Sequence, residues 1–128
     1  KKLWPGLSDL LPKKLSRAEI DALDVEELKQ RFLVAQAVEA ARTFEEKVVT
    51  DVREADVGSI LGFGFAPFSG GTLSYIDMMG PRTFVELCRK FEQRYGARFT
   101  PNRLLLELAE RNEGVYQRFG GGKKKAAA

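Results

Sequence analysis

This sequence of 128 residues contains no histidine. That absence removes Ser-His-Asp and Cys-His nucleophile pairs, imidazole acid–base catalysis and nearly all catalytic zinc sites. Its single cysteine, Cys88, excludes an internal disulfide and any zinc site built from cysteines. No apolar run approaches the roughly 18 residues of a membrane span, so none is expected. The N-terminus has no apolar segment followed by a cleavage site, so the expectation is no export and a cytoplasmic location. The chain also opens on Lys1 rather than Met, which fits a piece of a longer polypeptide. A real excess of positive charge is missing too. The formal net charge is +3, but Lys1, Lys2, Lys123, Lys124 and Lys125 sit at the two ends. Without them 16 cations face 18 carboxylates, and the body carries −2. A folded basic face for nucleic acid keeps its excess in the body, so no nucleic-acid partner is expected.

What is present is a core. Nine Phe, three Tyr and one Trp give the chain ample surface to bury, and disorder of the body is not expected. Residues 1–15 read as a linker, with a turn at Trp4-Pro5-Gly6 and a break at Pro12. The helical part is expected over 16–119. The tail 120–128, Gly-Gly-Gly-Lys-Lys-Lys-Ala-Ala-Ala, is low in complexity and expected to be disordered.

Helix starts are signalled three times by a capping residue with Glu three positions on: Ser16 with Glu19, Asp24 with Glu27, and Asp51 with Glu54. From Val25 to about Val49 there is neither Pro nor Gly. Leu28, Phe32 and Ala35 lie at helical spacing, while Leu33, Ala37, Ala40, Ala41 and Phe44 extend the apolar surface. A long, central and largely buried helix is expected there. The next helix should carry Ala55, Val57, Ile60 and Leu61 and stop at Gly62. Six of the twelve glycines then lie between Gly58 and Gly80. Thr72 is placed as the cap of a short helix over 73–79. Pro81 opens a helix whose Phe84, Leu87, Cys88, Phe91 and Tyr95 form one amphipathic face ending at Gly96. Thr100-Pro101 is read as cap and first helical position of a last helix ending near Asn112. No stretch alternates at period two. The fold class is therefore all-α, an orthogonal helical bundle around one long helix.

Candidate chemistry is sparse. The loop Gly62 to Gly71 is rich in Gly and Phe, but its glycines lack GxGxxG spacing and no GK[ST] follows. The amides at the Thr72 helix start offer an anion site in principle. The favoured reading is a rigid turn in which Phe63, Phe65 and Phe68 plug the core. Asp77 has no partner acid nearby and is expected to cap or hydrogen-bond locally. Glu45, Glu46, Asp51, Glu54 and Asp56 are read as carboxylates complementing helix starts rather than as a metal site. Cys88 is expected to be a buried, inert thiol. Arg82, Arg89, Lys90 and Arg94 are expected on a solvated face, and Lys123–Lys125 in a solvated tail. No catalytic, cofactor-binding or metal residue is assigned.

The run Glu54-Ala-Asp-Val-Gly-Ser-Ile-Leu-Gly-Phe-Gly-Phe-Ala-Pro-Phe-Ser-Gly-Gly-Thr-Leu-Ser-Tyr-Ile-Asp-Met-Met-Gly80 resembles the C-terminal domain of 3-hydroxyacyl-CoA dehydrogenases. The nearest likeness is to the multifunctional α subunit of the fatty-acid oxidation complex, which joins an enoyl-CoA hydratase to the dehydrogenase. Tyr95-Gly96-Ala97-Arg98-Phe99-Thr100-Pro101 with Leu104-Leu105, and Leu3-Trp4-Pro5-Gly6-Leu7 upstream, fit the same pattern, so the likeness spans about 3–119. It implies a bundle like the C-terminal domain of 6-phosphogluconate dehydrogenase, and a place as the last of two helical repeats after an NAD-binding domain. The family's catalytic His–Glu pair would lie outside this chain. Its catalytic Asn belongs to an Asn-Arg-Leu-Leu-like segment of the first repeat. Here Gln30-Arg31-Phe32-Leu33 matches that segment, and Gln30 does not inherit the role. The implied function is non-catalytic support of the substrate domain, with the first repeat and the NAD-binding domain as partners and self-association of the isolated chain as an expectation. NAD would be bound by the parent enzyme and no cofactor by this chain. The alternative is a free-standing module binding acyl-CoA or another apolar ligand.

Overall fold

The computed structural model describes residues 3–10 and 13–121. Lys1, Lys2, Pro12, and the tail from 122 with its Lys123–Lys125, lie outside the described residues. The described residues are helical, without a strand. Seven α-helices follow in order: α1 Arg17–Asp21, α2 Val25–Glu45, α3 Val52–Phe63, α4 Thr72–Met79, α5 Pro81–Tyr95, α6 Arg103–Arg111 and α7 Val115–Phe119. Short 3-10 turns occupy Pro5–Asp9, Pro67–Ser69 and Ala97–Phe99. The first of these gives local structure to the segment expected as a linker, although Leu3, Trp4 and Leu7 remain exposed.

Local capping explains most of the helix starts. Ser16 Oγ accepts from the Glu19 amide, and the Glu19 carboxylate accepts from the Ser16 amide, a complete capping box. Asp24 and Asp51 cap α2 and α3 through the amides of Glu27 and Arg53. Asn102 caps α6, so Thr100 and Pro101 stand before the helix rather than at its start. Thr100 is diverted because its hydroxyl donates to Glu92 on α5. The last helix, α7, lies beyond the end expected near Asn112. Asn112 does end α6, in the left-handed conformation.

The core gathers around the short helix α4, which packs against α2, α3, α5 and α7. Thr72, Leu73, Tyr75 and Ile76 of α4 are buried. Leu73, Tyr75 and Ile76 share one cluster with Phe84, Val85, Cys88 and Phe91 of α5 and Leu104, Leu105 and Leu108 of α6. Burial of each large apolar side chain there contributes about 1.5–3 kcal/mol. Edge-to-face contacts link Phe65, Tyr75 and Phe84, and separately Phe91, Tyr95 and Phe99.

The long helix differs from its sequence reading. It ends at Glu45, and only Val34, Ala37, Val38 and Ala41 are buried. Phe32 is 71% exposed. The buried stripe follows Val34 at steps of three and four, which turns Phe32 away from the core. α3 departs further. It extends to Phe63 with Gly64 as its left-handed cap, and it buries Val52, Asp56 and Ser59 while Val57 and Leu61 face outward. Its apolar residues were expected inward; the inward positions are taken by two polar residues with partners on α4.

Candidate interaction surface

The glycine-rich segment is a structural joint. Gly64, Gly70 and Gly71 have positive φ. Of the three phenylalanines only Phe65 is buried, whereas Phe63 is 61% and Phe68 69% exposed. The three-plug reading therefore fails for two rings. Phe63 closes the outward-turned α3, and Phe68 lies in the 3-10 turn on the surface.

The helix start at Thr72 has an anion already, and it is internal. α4 has Gly71 rather than Thr72 as its N-cap, and no side chain of that residue can cap it. Asp56 fills the place. Its carboxylate accepts from the Leu73 amide at 2.7 Å, the Ser74 amide at 3.1 Å and the Ser74 hydroxyl at 2.6 Å. Ser59 Oγ accepts from the Thr72 amide at 3.3 Å. The orphan amides of the first turn are thus satisfied within the chain. The same carboxylate accepts from the Tyr116 hydroxyl at 2.8 Å, which brings in α7. Burial, followed by this bond to Asp56, pushes the Tyr116 phenol up to about 12. A Cβ on Gly71 would stand 2.4 Å from the Asp56 Cβ, so the glycine is required by the close approach.

Asp77 does a second job of the same kind. It accepts from the amides of Val115 at 2.6 Å and Tyr116 at 2.9 Å, and so caps α7 from 38 and 39 positions away. The expectation of a local bond is corrected: α7 starts at Gly114, which has no capping side chain. The remaining carboxylates are dispersed. Glu45 accepts from the Leu104 amide and from Asn102 Nδ2, and Asp51 binds Arg53, which holds its carboxyl down at about 2. Among the described residues no group of acids is placed to hold a metal ion.

Cys88 is fully buried, and burial pushes its thiol up to about 12. Arg82, Arg89, Lys90 and Arg94 are all exposed, as expected of a solvated face. Arg82 donates to the carbonyls of Ala109 and Glu110 at the end of α6, and Arg94 binds Glu27. Those two tie elements together. Gln30 is exposed on α2.

What remains open is a surface. An apolar groove of about 340 Å³ runs between α2 and α3, lined among others by Gln36, Ala40, Thr43, Ala55, Gly58 and Phe63. Val57 and Leu61, the latter 81% exposed, lie on α3 outside it, and Phe32 lies one helical turn before Gln36. Sequence reasoning put Phe32 on the apolar surface of a largely buried helix and Phe63 in the core, and both are exposed. It expected Asp77 to cap or hydrogen-bond locally and Asp56 to complement a helix start nearby, and it missed that both cap helices 17 to 39 residues away. The available signal was negative: α4 and α7 start after glycines, with no capping side chain of their own. No helix among the described residues is long and apolar enough to cross a membrane. No family model matches the chain.

Proposed function

We propose that this chain is the non-catalytic C-terminal helical module of a fatty-acid β-oxidation 3-hydroxyacyl-CoA dehydrogenase, cytoplasmic and joined in its parent to NAD-binding and substrate-binding parts. The parent would oxidise 3-hydroxyacyl-CoA to 3-oxoacyl-CoA with NAD, and in a multifunctional chain also hydrate enoyl-CoA. The bundle would be the orthogonal type of the 6-phosphogluconate dehydrogenase C-terminal domain. The module's role is to buttress the neighbouring helical repeat. The resemblance over Glu54–Gly80 supports the family. The observation that carries the architectural role is the outward apolar face of α3, with Val57 and Leu61 beside a groove that Phe63 lines. Contiguous exposed apolar surface marks an interaction site.

Two measurements test the proposal. The purified chain should form no NADH from 3-hydroxyacyl-CoA. It should bind the preceding helical repeat of the same polypeptide, and Leu61→Glu should weaken that binding by at least about tenfold. Turnover by the isolated chain, or binding indifferent to Leu61→Glu, refutes it.

The reading as a ligand-binding module draws on one observation. A cleft of about 470 Å³ between α2, α6 and α7 has Phe44, Leu104 and Phe119 as apolar lining, with Lys47, Glu45 and an Arg103–Glu107 ion pair as its charged groups. Saturable binding of acyl-CoA to the isolated chain, lost on Phe119→Ala, would favour that reading.

A further inference from the structure

Arg31 lacks the partner its position should give it. On a helix the default partner of an arginine is an acid four residues earlier. That residue is Glu27, but its carboxylate is bound by Tyr95 and Arg94 of α5. The next position on the same face is Ala35, which offers nothing. Arg31 therefore lies over the Tyr95 ring, with its guanidinium carbon 3.7 Å from the ring centre. Its Nε is buried with no hydrogen-bond partner. A buried donor left unmatched calls for an acceptor that the chain does not supply.

The surroundings fit one kind of acceptor. Arg31 lines a cleft of about 380 Å³ together with Leu28, Phe32, Tyr95, Arg98 and Phe99. That volume lies in the range of small-molecule sites. Arg98 is exposed, and its guanidinium makes no ion pair or hydrogen bond among the described residues. The nearby carboxylate, Glu27, is already neutralised by Arg94. Two guanidinium groups, Arg31 held only by the Tyr95 ring and Arg98 without an ion pair, thus line a cleft whose other lining is aromatic and aliphatic. A guanidinium fork matches the planar oxygens of a carboxylate or the oxygens of a phosphate.

We propose that this cleft between α2 and the end of α5 binds a small organic oxyanion. Arg31 is its principal contact and Arg98 its second, and a planar apolar body lies against Phe32 and Phe99. The site is separate from the α3 face and does not rest on the dehydrogenase reading. Stacking on Tyr95 pre-orients Arg31, so little side-chain freedom is lost on binding.

The test is a titration of the chain followed by NMR at the arginine Nε–H and the aromatic ring signals. The probes are phenyl phosphate, benzoate and, as the uncharged control, benzyl alcohol. The first two should give saturable shifts at Arg31, Tyr95 and Phe99 at millimolar or lower concentration. Their relative affinity identifies the preferred headgroup. Arg31→Gln should weaken binding by about tenfold, the worth of one charge-assisted contact, and Arg98→Gln by a few-fold. Arg98 is exposed, so its variant keeps the test valid if Arg31→Gln disturbs folding. Absence of saturation with both anions, equal binding of benzyl alcohol, or affinities unchanged by Arg98→Gln and by a folded Arg31→Gln would overturn the proposal.

Discussion

Asp56 is the residue on which most of the internal order converges. A carboxylate 2% exposed and in contact with two amides and two hydroxyls is stabilised only while all four donors stay in place. Asp56→Ala should destabilise the protein by about 3–5 kcal/mol, read from denaturant unfolding, because those donors would be left buried and unmatched. A loss below about 1 kcal/mol would mean that water replaces the carboxylate freely. Phe32→Ala gives the opposite contrast. Its exposed ring leaves no cavity, so the cost should be below about 1 kcal/mol despite the size of the deletion. A loss of about 3 kcal/mol would place the ring inside the fold.

At the scale of elements, the sequence located α4 and α5 as well as the helices with their own caps, but not the distant carboxylates that cap α4 and α7, nor α7 itself. Ser16, Asp24 and Asp51 carry local signals, and the structure uses all three. Pro81 and Gly96 bound α5 as their chemistry requires, and the spacing from Phe84 to Tyr95 located its inner face. α3 misled because periodicity counts only apolar residues, while its buried face includes Asp56 and Ser59. The five-residue α7 is too short to show a period. The capping of α3 also has a pH signature. Asp51, held by the Arg53 side chain, has a folded carboxyl at about 2, below its ordinary value near 3.9. A depressed carboxyl contributes stability that is fully present above its unfolded value and is lost as the pH falls through its folded one. Melting temperature should therefore fall between about pH 4 and pH 2, and Asp51→Asn should flatten part of that fall. An identical acid limb in the variant would remove Asp51 from the account.

For the whole molecule the question is what the outward apolar residues meet. Val57, Leu61 and Phe63 are available to a second copy when nothing else covers them. Sedimentation at rising concentration should show a monomer–dimer equilibrium that Leu61→Glu shifts to monomer. A specific dimer would bury more than about 1,000 Å² in total. A monomer at every concentration would leave the face without a self-partner. Self-association of the isolated chain was an expectation of the sequence; which residues form the exposed face was not, since periodicity alone does not say which side of α3 turns outward.

The arrangement around Asp56 also sets how the chain comes apart. α4 has eight residues, fewer than the roughly 12 that hold a helix on their own; its first turn is held from α3 by Asp56, which the Tyr116 hydroxyl of α7 braces in turn. Opening of α7 frees Asp77 and takes one of the four donors from Asp56, so a disturbance at the C-terminal end reaches the middle of the molecule without passing through the loops between. In hydrogen exchange the amides of Leu73 and Ser74 should therefore open together with those of Val115 and Tyr116, as one cooperative unit whose members lie 41 to 43 positions apart in sequence.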